Sequence, residues 1–308
     1  MDIETPNVGD VKIISLRKIF IREIFADKLA LVSLFVFVGI MLFVFIGAAV
    51  IGVDQALAFD IFNLNQAPTW WPFGNGGSPT GGFLGTTPSG QSMAQILIVA
   101  ARNSIIIGFS VSFLSLTTSI LLGLVIGYYG GHIDNVAMRI MDTLVIIPTI
   151  MVMIIVRTLM LDFGVFHMVM ILYMFSWIGP ARGIRNLTMG QKVQDYVAAS
   201  KTLGTRNIAI IFKKILPNLT AMISAMVVLT VGTSIGIETG LAVIGFGLPV
   251  GTPSLGNLVA NALNPTHMSQ RQWNWLPAVI LILIIIISIN FVGQAMSRAA
   301  NAQQRLSS

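Results

Sequence analysis

Four ionisable side chains, Asp142, Arg157, Asp162 and Glu238, lie inside or at the edge of long apolar runs. Charged groups in such surroundings are costly to keep and mark proton relays, ion sites and substrate paths. An ion-coupled carrier would hold an acidic residue near the middle of a run, beside broken helices; all four lie close to run ends. Glu238, Arg102 and Arg157 fall near the same face of the bilayer, which predicts an outer-side ion pair between Glu238 and one of the two arginines. His132, His167 and His267 are widely separated and none forms H-E-x-x-H. The chain has no cysteine, which excludes disulfides, thiol chemistry and cysteine-ligated metals. It has no G-x-x-x-x-G-K-[ST] loop, so it does not bind ATP in that manner by itself. No cluster of catalytic side chains is visible. The reading is a chain with no catalytic residues, no metal site and no cofactor of its own.

A docking role is suggested by "VQDYVAASKTLGTRNIAIIFKKILPN", Val193 to Asn218, the most polar part of the chain. Tyr196, Ala199, Ser200 and Leu203 recur at helical spacing with small residues on one face. Gly204 can take the left-handed conformation that ends a helix. Ile208, Ile211, Phe212 and Ile215 then share one side of a second helix, with Lys213 and Lys214 at its polar end and a break at Pro217. The expected geometry is helix, turn, helix, lying along a membrane surface. Positive charge alone would explain a bland loop but not the small-residue face.

The elements that position these residues follow from composition. Of 308 residues, 55% are hydrophobic and 10% charged, and the mean hydropathy is +0.85; a soluble domain carries about 25% charged residues. Six runs are long enough to cross a bilayer as helices: Leu29–Val53, Ser104–Tyr128, Ile140–Leu161, Phe163–Ala181, Leu219–Gly245 and Leu276–Met296. None alternates as barrel strands do. The fold class is therefore all-α, a polytopic membrane protein with six transmembrane helices. The net charge of +6 and pI near 9.9 reflect the bilayer rather than nucleic acid, because the charge is placed asymmetrically. Residues 1–28 hold five Lys and Arg, Arg139 stands alone, residues 180–217 hold seven, and Arg298 and Arg305 complete 15 of the 18. Residues 54–101 hold none. By the positive-inside rule both termini and the Val193–Asn218 segment face the cytoplasm.

The chain divides into a cytoplasmic segment, residues 1–28, a first span, 29–53, an external loop, 54–101, a five-helix core, 102–300, that contains the segment 193–218, and a tail, 301–308. Residues 11–28 suit an interfacial helix. The Gly-, Pro- and Trp-rich external loop either anchors Trp70 and Trp71 at the interface or forms a small cap for a partner. Gly123 and Gly127 form a small-xxx-small pair for close helix approach, and Pro148 should kink its helix, for packing or for gating. Ser110, Ser112, Ser115, Thr117, Thr118 and Ser119 either line a polar path or bond within and between helices.

"YVAASKTLG", followed after twelve residues by Pro217 in "KKILPN", resembles the EAA loop of binding-protein-dependent ABC importer permeases. "FLGTTPSGQSMAQILIVAARNSIIIG", "GYYGGHIDNVAMRIMDTLVIIPTI" and "ETGLAVIGFGLPVGTPSLGNL" are similar to further blocks of that family, in its second permease subunit of dipeptide and oligopeptide importers, a group that also includes nickel permeases. The resemblance spans most of residues 15–300. It implies a type I importer permease fold in a prokaryotic cell membrane, forming half of a peptide translocation path. It also implies a homologous permease partner, two ATP-binding subunits that carry ATP and Mg, and an extracellular substrate-binding protein. Asp195, Tyr196, Ala198, Ala199, Ser200, Leu203, Gly204, Thr205, Arg206 and Pro217 would then couple to the ATPase. Ala198 stands where the family's motif glutamate is usual, with Asp195 almost one turn earlier. Thr87, Gln91 and Ser92 stand where Asp, Arg and Asp are usual. A nickel importer, and beyond it an ion-coupled carrier, are the alternatives.

Overall fold

The computed structural model describes residues 27–70, 82–160, 162–249 and 251–307. The expected interfacial helix over residues 11–28 and Trp71 therefore fall, all but Asp27 and Lys28, outside the described residues. Among these residues the secondary structure is helical, apart from one isolated antiparallel bridge, Thr86 to Ser92. Four helices are individually long and apolar enough to cross a membrane, and two bent pairs bring the number to six if each pair is one crossing.

Helix α1, Lys28–Ile51, starts at Asp27, whose Oδ1 accepts from the amides of Leu29 and Ala30 at 3.0 and 3.3 Å. The acid satisfies amides that have no partner inside the helix. It also pairs with Arg298, which brings the start of α1 beside the last helix. A short helix α2, Val53–Leu57, begins the outer loop. Helix α3, Met93–Tyr129, has 37 residues and is about 55 Å long at 1.5 Å per residue. It starts eleven residues before the expected span because Met93, Ile96, Val99, Ala100 and Ala101 are buried and continue its packed face.

The third crossing is α4, Gly131–Ile146, followed by α5, Thr149–Leu159, bent by 71°. Pro148 lacks an amide hydrogen, and its ring forces Ile147 into extended backbone, φ −68° and ψ 125°. The fourth crossing is α6, Val165–Ser176, and α7, Ile178–Lys192, bent by 42°. Here Pro180 removes the amide that would bond to the Ser176 carbonyl. The fourth run thus does not end near Ala181; it turns at Trp177 and continues as an amphipathic helix.

After Val193 and Gln194 come α8, Asp195–Thr202, and α9, Asn207–Ile210. A π-helical turn, Ile211–Ile215, then joins α9 to α10, Leu216–Val243. The helix therefore does not break at Pro217. A π turn widens the backbone ring by one residue, and Pro217 falls in the first turn of the next α segment, where a missing amide costs little. The chain finishes with α11, Leu255–Ala260, α12, Pro265–Gln270, and α13, Leu276–Ser307.

Helix α3 is the spine. On one side it joins α1, α10 and α13 around Val44, Ile105, Val231, Ile235 and Ile285. Against α7 it approaches by its two glycines: a Cβ on Gly123 would stand 2.8 Å from the Ala181 carbonyl oxygen, and one on Gly127 2.6 Å from that of Arg185. The small-xxx-small spacing thus sets a backbone-to-backbone contact. Thr117 bonds to its own helix, Thr118 to Tyr173, and Ser119 Oγ lies 2.6 Å from the Ser115 carbonyl and 2.7 Å from that of Trp177, at the α6–α7 break. Overpacking a close seam costs about 1–3 kcal/mol. Gly127→Ala should therefore lower the Tm of the detergent-solubilised protein by several degrees, while Gly190→Ala on α7, with open space at its Cβ, should leave it unchanged or raise it. Equal behaviour of the two variants in a thermal melt would refute the seam.

Candidate functional site

The Val193–Asn218 segment is ordered by local rules. Asp195 in the first turn of α8 and Lys201 in the last suit the helix dipole. At the far end Gly204 adopts φ 75°, its amide donates to the Lys201 carbonyl at 3.0 Å, and the Thr205 amide donates to that of Ser200 at 3.1 Å. This is the Schellman closure, which needs a left-handed residue at the glycine position. Val197, Ile210, Ile211 and Ile215 are buried together with Leu124 of α3, Ile184 of α7 and Leu219 of α10. Tyr128 of α3 donates to Asn207 Oδ1 at 2.8 Å, and Lys201 Nζ stands 5.3 Å over the Tyr128 ring. Thus α8 rests on a core shared by three helices.

The expected face of Tyr196, Ala199, Ser200 and Leu203 is not one surface. Tyr196 is half-buried and Ser200 buried, with the Tyr196 hydroxyl on Gln191 Oε1 at 2.8 Å and the Ser200 hydroxyl on the Tyr196 carbonyl at 2.7 Å. The 3.6-residue period turns these two inward beside Val197. The exposed face is instead Asp195, Ala198, Ala199, Thr202 and Leu203. Asp195 and Ala198 are both on it, three residues apart. Leu203 is 85% exposed and Val193 78%. In the second helix Ile211 and Ile215 face inward while Ile208 and Phe212 are exposed, so the single apolar side expected there is divided in two.

Sequence reasoning missed a clamp between α4 and α7. Arg185 donates to Asp134 in two parallel bonds, Nε to Oδ1 at 2.8 Å and an Nη to Oδ2 at 2.5 Å. One turn away Arg182 pairs with Asp142 at 2.8 Å. The signal available was opposed charge on two amphipathic helices, α4 and α7, but the pairing depends on the reversal at Gly130 and Gly131, both at positive φ. Asp142 is thereby a structural partner rather than an isolated intramembrane acid.

The expected ion pair is absent: among the described residues Glu238 forms no salt bridge with Arg102 or Arg157. Glu238 is fully buried on α10 and accepts from the Ser104 hydroxyl of α3 at 3.2 Å. Ser104 in turn accepts from the Leu255 amide at 3.0 Å, and Asn103 donates to the Pro253 carbonyl at 2.8 Å. Gly256 approaches so closely that a Cβ would stand 3.0 Å from Glu238 Oε1. Glu238 thus pins the loop before α11 against α3. Arg157, at the end of α5, points elsewhere, donating to the Gly247 carbonyl at 3.2 Å and lying 4.2 Å over the Phe163 ring. In the outer loop, Thr87 and Gln91 replace charge by neutral bonding: the Gln91 amide donates to Thr87 Oγ1 at 3.1 Å and its side chain to the Leu57 carbonyl at 2.9 Å. No group of three or more metal-ligating side chains occurs among the described residues.

Comparison with known proteins adds to this geometry. The family model described as "Binding-protein-dependent transport system inner membrane component" matches residues 119–305. The oligopeptide transport system permease protein OppC of Lactococcus lactis subsp. cremoris (strain SK11) is 38% identical over 283 residues, covering 92% of this chain and 93% of that protein. OppC of Bacillus subtilis (strain 168) is 29% identical over 304 residues, 97% and 95% of the two chains. The dipeptide permease DppC of Lactococcus lactis subsp. cremoris (strain MG1363) is 27% identical over 300 residues, 88% and 85%. Among solved structures, an inward-facing MetNI methionine ABC transporter chain superposes with a TM-score of 0.51 at 17% identity, over 68% of this chain and 97% of that one. That likeness concerns the fold.

The polar cluster without a cation makes a direct prediction. Glu238→Gln keeps an acceptor for Ser104 and should change stability by less than about 1 kcal/mol, whereas Glu238→Ala, which leaves a void and buried hydroxyls, should cost about 2–4 kcal/mol. Chemical denaturation in detergent reads both, and a loss with Gln as large as with Ala would reinstate a charged partner.

Proposed function

This chain belongs to the family of binding-protein-dependent transport system inner membrane components, and we propose that within it the chain is the permease subunit of an ATP-driven importer of oligopeptides or dipeptides. The observation that carries the reading is the 38% identity to an oligopeptide permease along 92% of this chain. The names of the other relatives favour peptides over the nickel alternative. In this reading the protein lies in a prokaryotic cell membrane with both termini in the cytoplasm. It pairs with a homologous permease, two ATP-binding subunits and an extracellular substrate-binding protein. ATP and Mg are held by the ATP-binding subunits.

The role of this chain is to receive their movement. The exposed face of α8, with Ala198, Ala199 and Leu203, lets another backbone approach, and Asp195 offers a carboxylate one turn from the position where the family carries its glutamate. Tyr196 and Ser200 act from beneath by holding α8 to its support. Gly204 fixes the turn, Thr205 and Arg206 lead out of it, and Pro217 joins the segment to the α10 span. A displacement of α8 reaches α3, α7 and α10 together, because Val197 sits in their common core and close-packed interiors transmit strain. The bends at Pro148 and Trp177 give two crossings places to flex. ATP drives import only if the ATP-bound subunits contact one membrane state better than the other.

The test is uptake of a labelled peptide by the reconstituted complex. Ala199→Arg should leave membrane insertion intact and lower ATP-driven uptake at least about tenfold, since a buried interface tolerates no such side chain. Uptake that persists without the ATP-binding subunits and collapses with an uncoupler would overturn the reading in favour of an ion-coupled carrier.

A further inference from the structure

The helix from Asn207 to Val243 runs through α9, the π turn and α10 without a gap, yet its hydrogen-bond ladder is interrupted at one place. The Leu216 amide donates to the Ile211 carbonyl, five residues back, where a regular α-helix would reach Phe212. The next residue, Pro217, has no amide hydrogen for the Lys213 carbonyl. Two successive carbonyls, those of Phe212 and Lys213, are thus left without a donor from the helix. In an unbroken α-helix the Pro217 ring would also collide with the Lys213 carbonyl; the wider ring of the turn avoids this. Among the described residues this is the one π turn.

The turn has two unlike sides. Ile211, Ile215 and Leu219 are buried in the core shared with Leu124 of α3, Ile184 of α7 and Val197 of α8. Phe212, Lys213, Lys214 and Pro217 are exposed, and no ion pair among the described residues engages either lysine. One edge is therefore held by packing, while the residues that lost their helical bonds have no neighbour to resist movement. Helices bend at π turns, and this one lies between the α8–α9 segment and the α10 span. We propose that the turn is a one-sided joint, at which α9 tilts on α10 about the buried Ile211 and Ile215 edge when α8 is displaced. The inference rests on the reading that ATP-binding subunits dock on α8. A stiff helix would tie any tilt of α9 to the whole 28-residue α10, which is packed on α3 and α13 through Val231 and Ile235. The joint lets α8 and α9 move first and pass the movement on through the Val197 core.

The experiment compares the complete reconstituted complex as wild type, as Pro217→Ala, and as Pro217→Ala with Lys213 deleted. The alanine supplies the missing amide. The deletion also removes the one residue by which the π ring exceeds an α ring, so α9 and α10 keep their faces. In the wild type, hydrogen exchange over residues 211–219 should differ between the nucleotide-free complex and one trapped with a non-hydrolysable ATP analogue, with residues 225–235 unchanged. Both variants should keep a Tm at or above that of the wild type, because a helical bond is gained. The deleted chain should take up at least about fivefold less labelled peptide per ATP hydrolysed, the low end of a coupling free energy between two sites. Exchange over residues 211–219 that is the same in both nucleotide states would overturn the joint. So would unchanged uptake per ATP in the deleted chain, or a loss of uptake that only follows a fall in Tm, the mark of a structural role. Wild-type uptake that needs no ATP-binding subunit would instead remove the reading on which the joint rests.

Discussion

The contact between α3 and α7 is the constraint on which the rest depends. In a bilayer there is no water to drive helices together, so close van der Waals approach and hydrogen bonding must do it. Gly123 and Gly127 give α3 a groove into which the backbone of α7 fits. Once α7 is seated, its arginines are presented to Asp134 and Asp142, and α4 is fixed in turn. The same helix hands directly to α8, so the Val193–Asn218 segment inherits its position from two glycines some seventy residues earlier. The Leu124, Ile184 and Val197 core is where these dependencies meet.

The two bent crossings show how such a structure keeps broken helices. A freed backbone carbonyl in hydrocarbon is expensive unless another group bonds to it. Beside the second break the Ser119 hydroxyl lies 2.7 Å from the Trp177 carbonyl, which also accepts from the Ala181 amide at 3.0 Å, so α3 is tied to the start of α7. At the other end of α3, Ser104 accepts from the Leu255 amide and Asn103 donates to the Pro253 carbonyl, which ties the loop before α11 to α3.

The apolar crossings were legible because hydropathy is a property of single segments. The glycine pair was legible for the same reason: it names a close approach without naming the partner. Faces were less so. Tyr196 and Ser200 looked equivalent to Ala199 and Leu203 by spacing, yet which part of a short helix points inward is set by the core beneath it, which no local pattern displays. Pro217 read as a break because the π turn that absorbs it leaves no distinct signature. The ion pair expected for Glu238 failed for a related reason: membrane depth places residues at a level, not at an azimuth, and Ser104 occupied the direction that Arg102 and Arg157 did not.

Asp27 is bonded twice, to the first amides of α1 and to Arg298 near the end of α13. The partners are 271 residues apart in the chain. During synthesis α1 is made before α13, so the helix cap can form early while the ion pair waits for Arg298. The acid that starts α1 therefore also registers the arrival of α13, and a chain truncated before Arg298 would leave α1 without that tie.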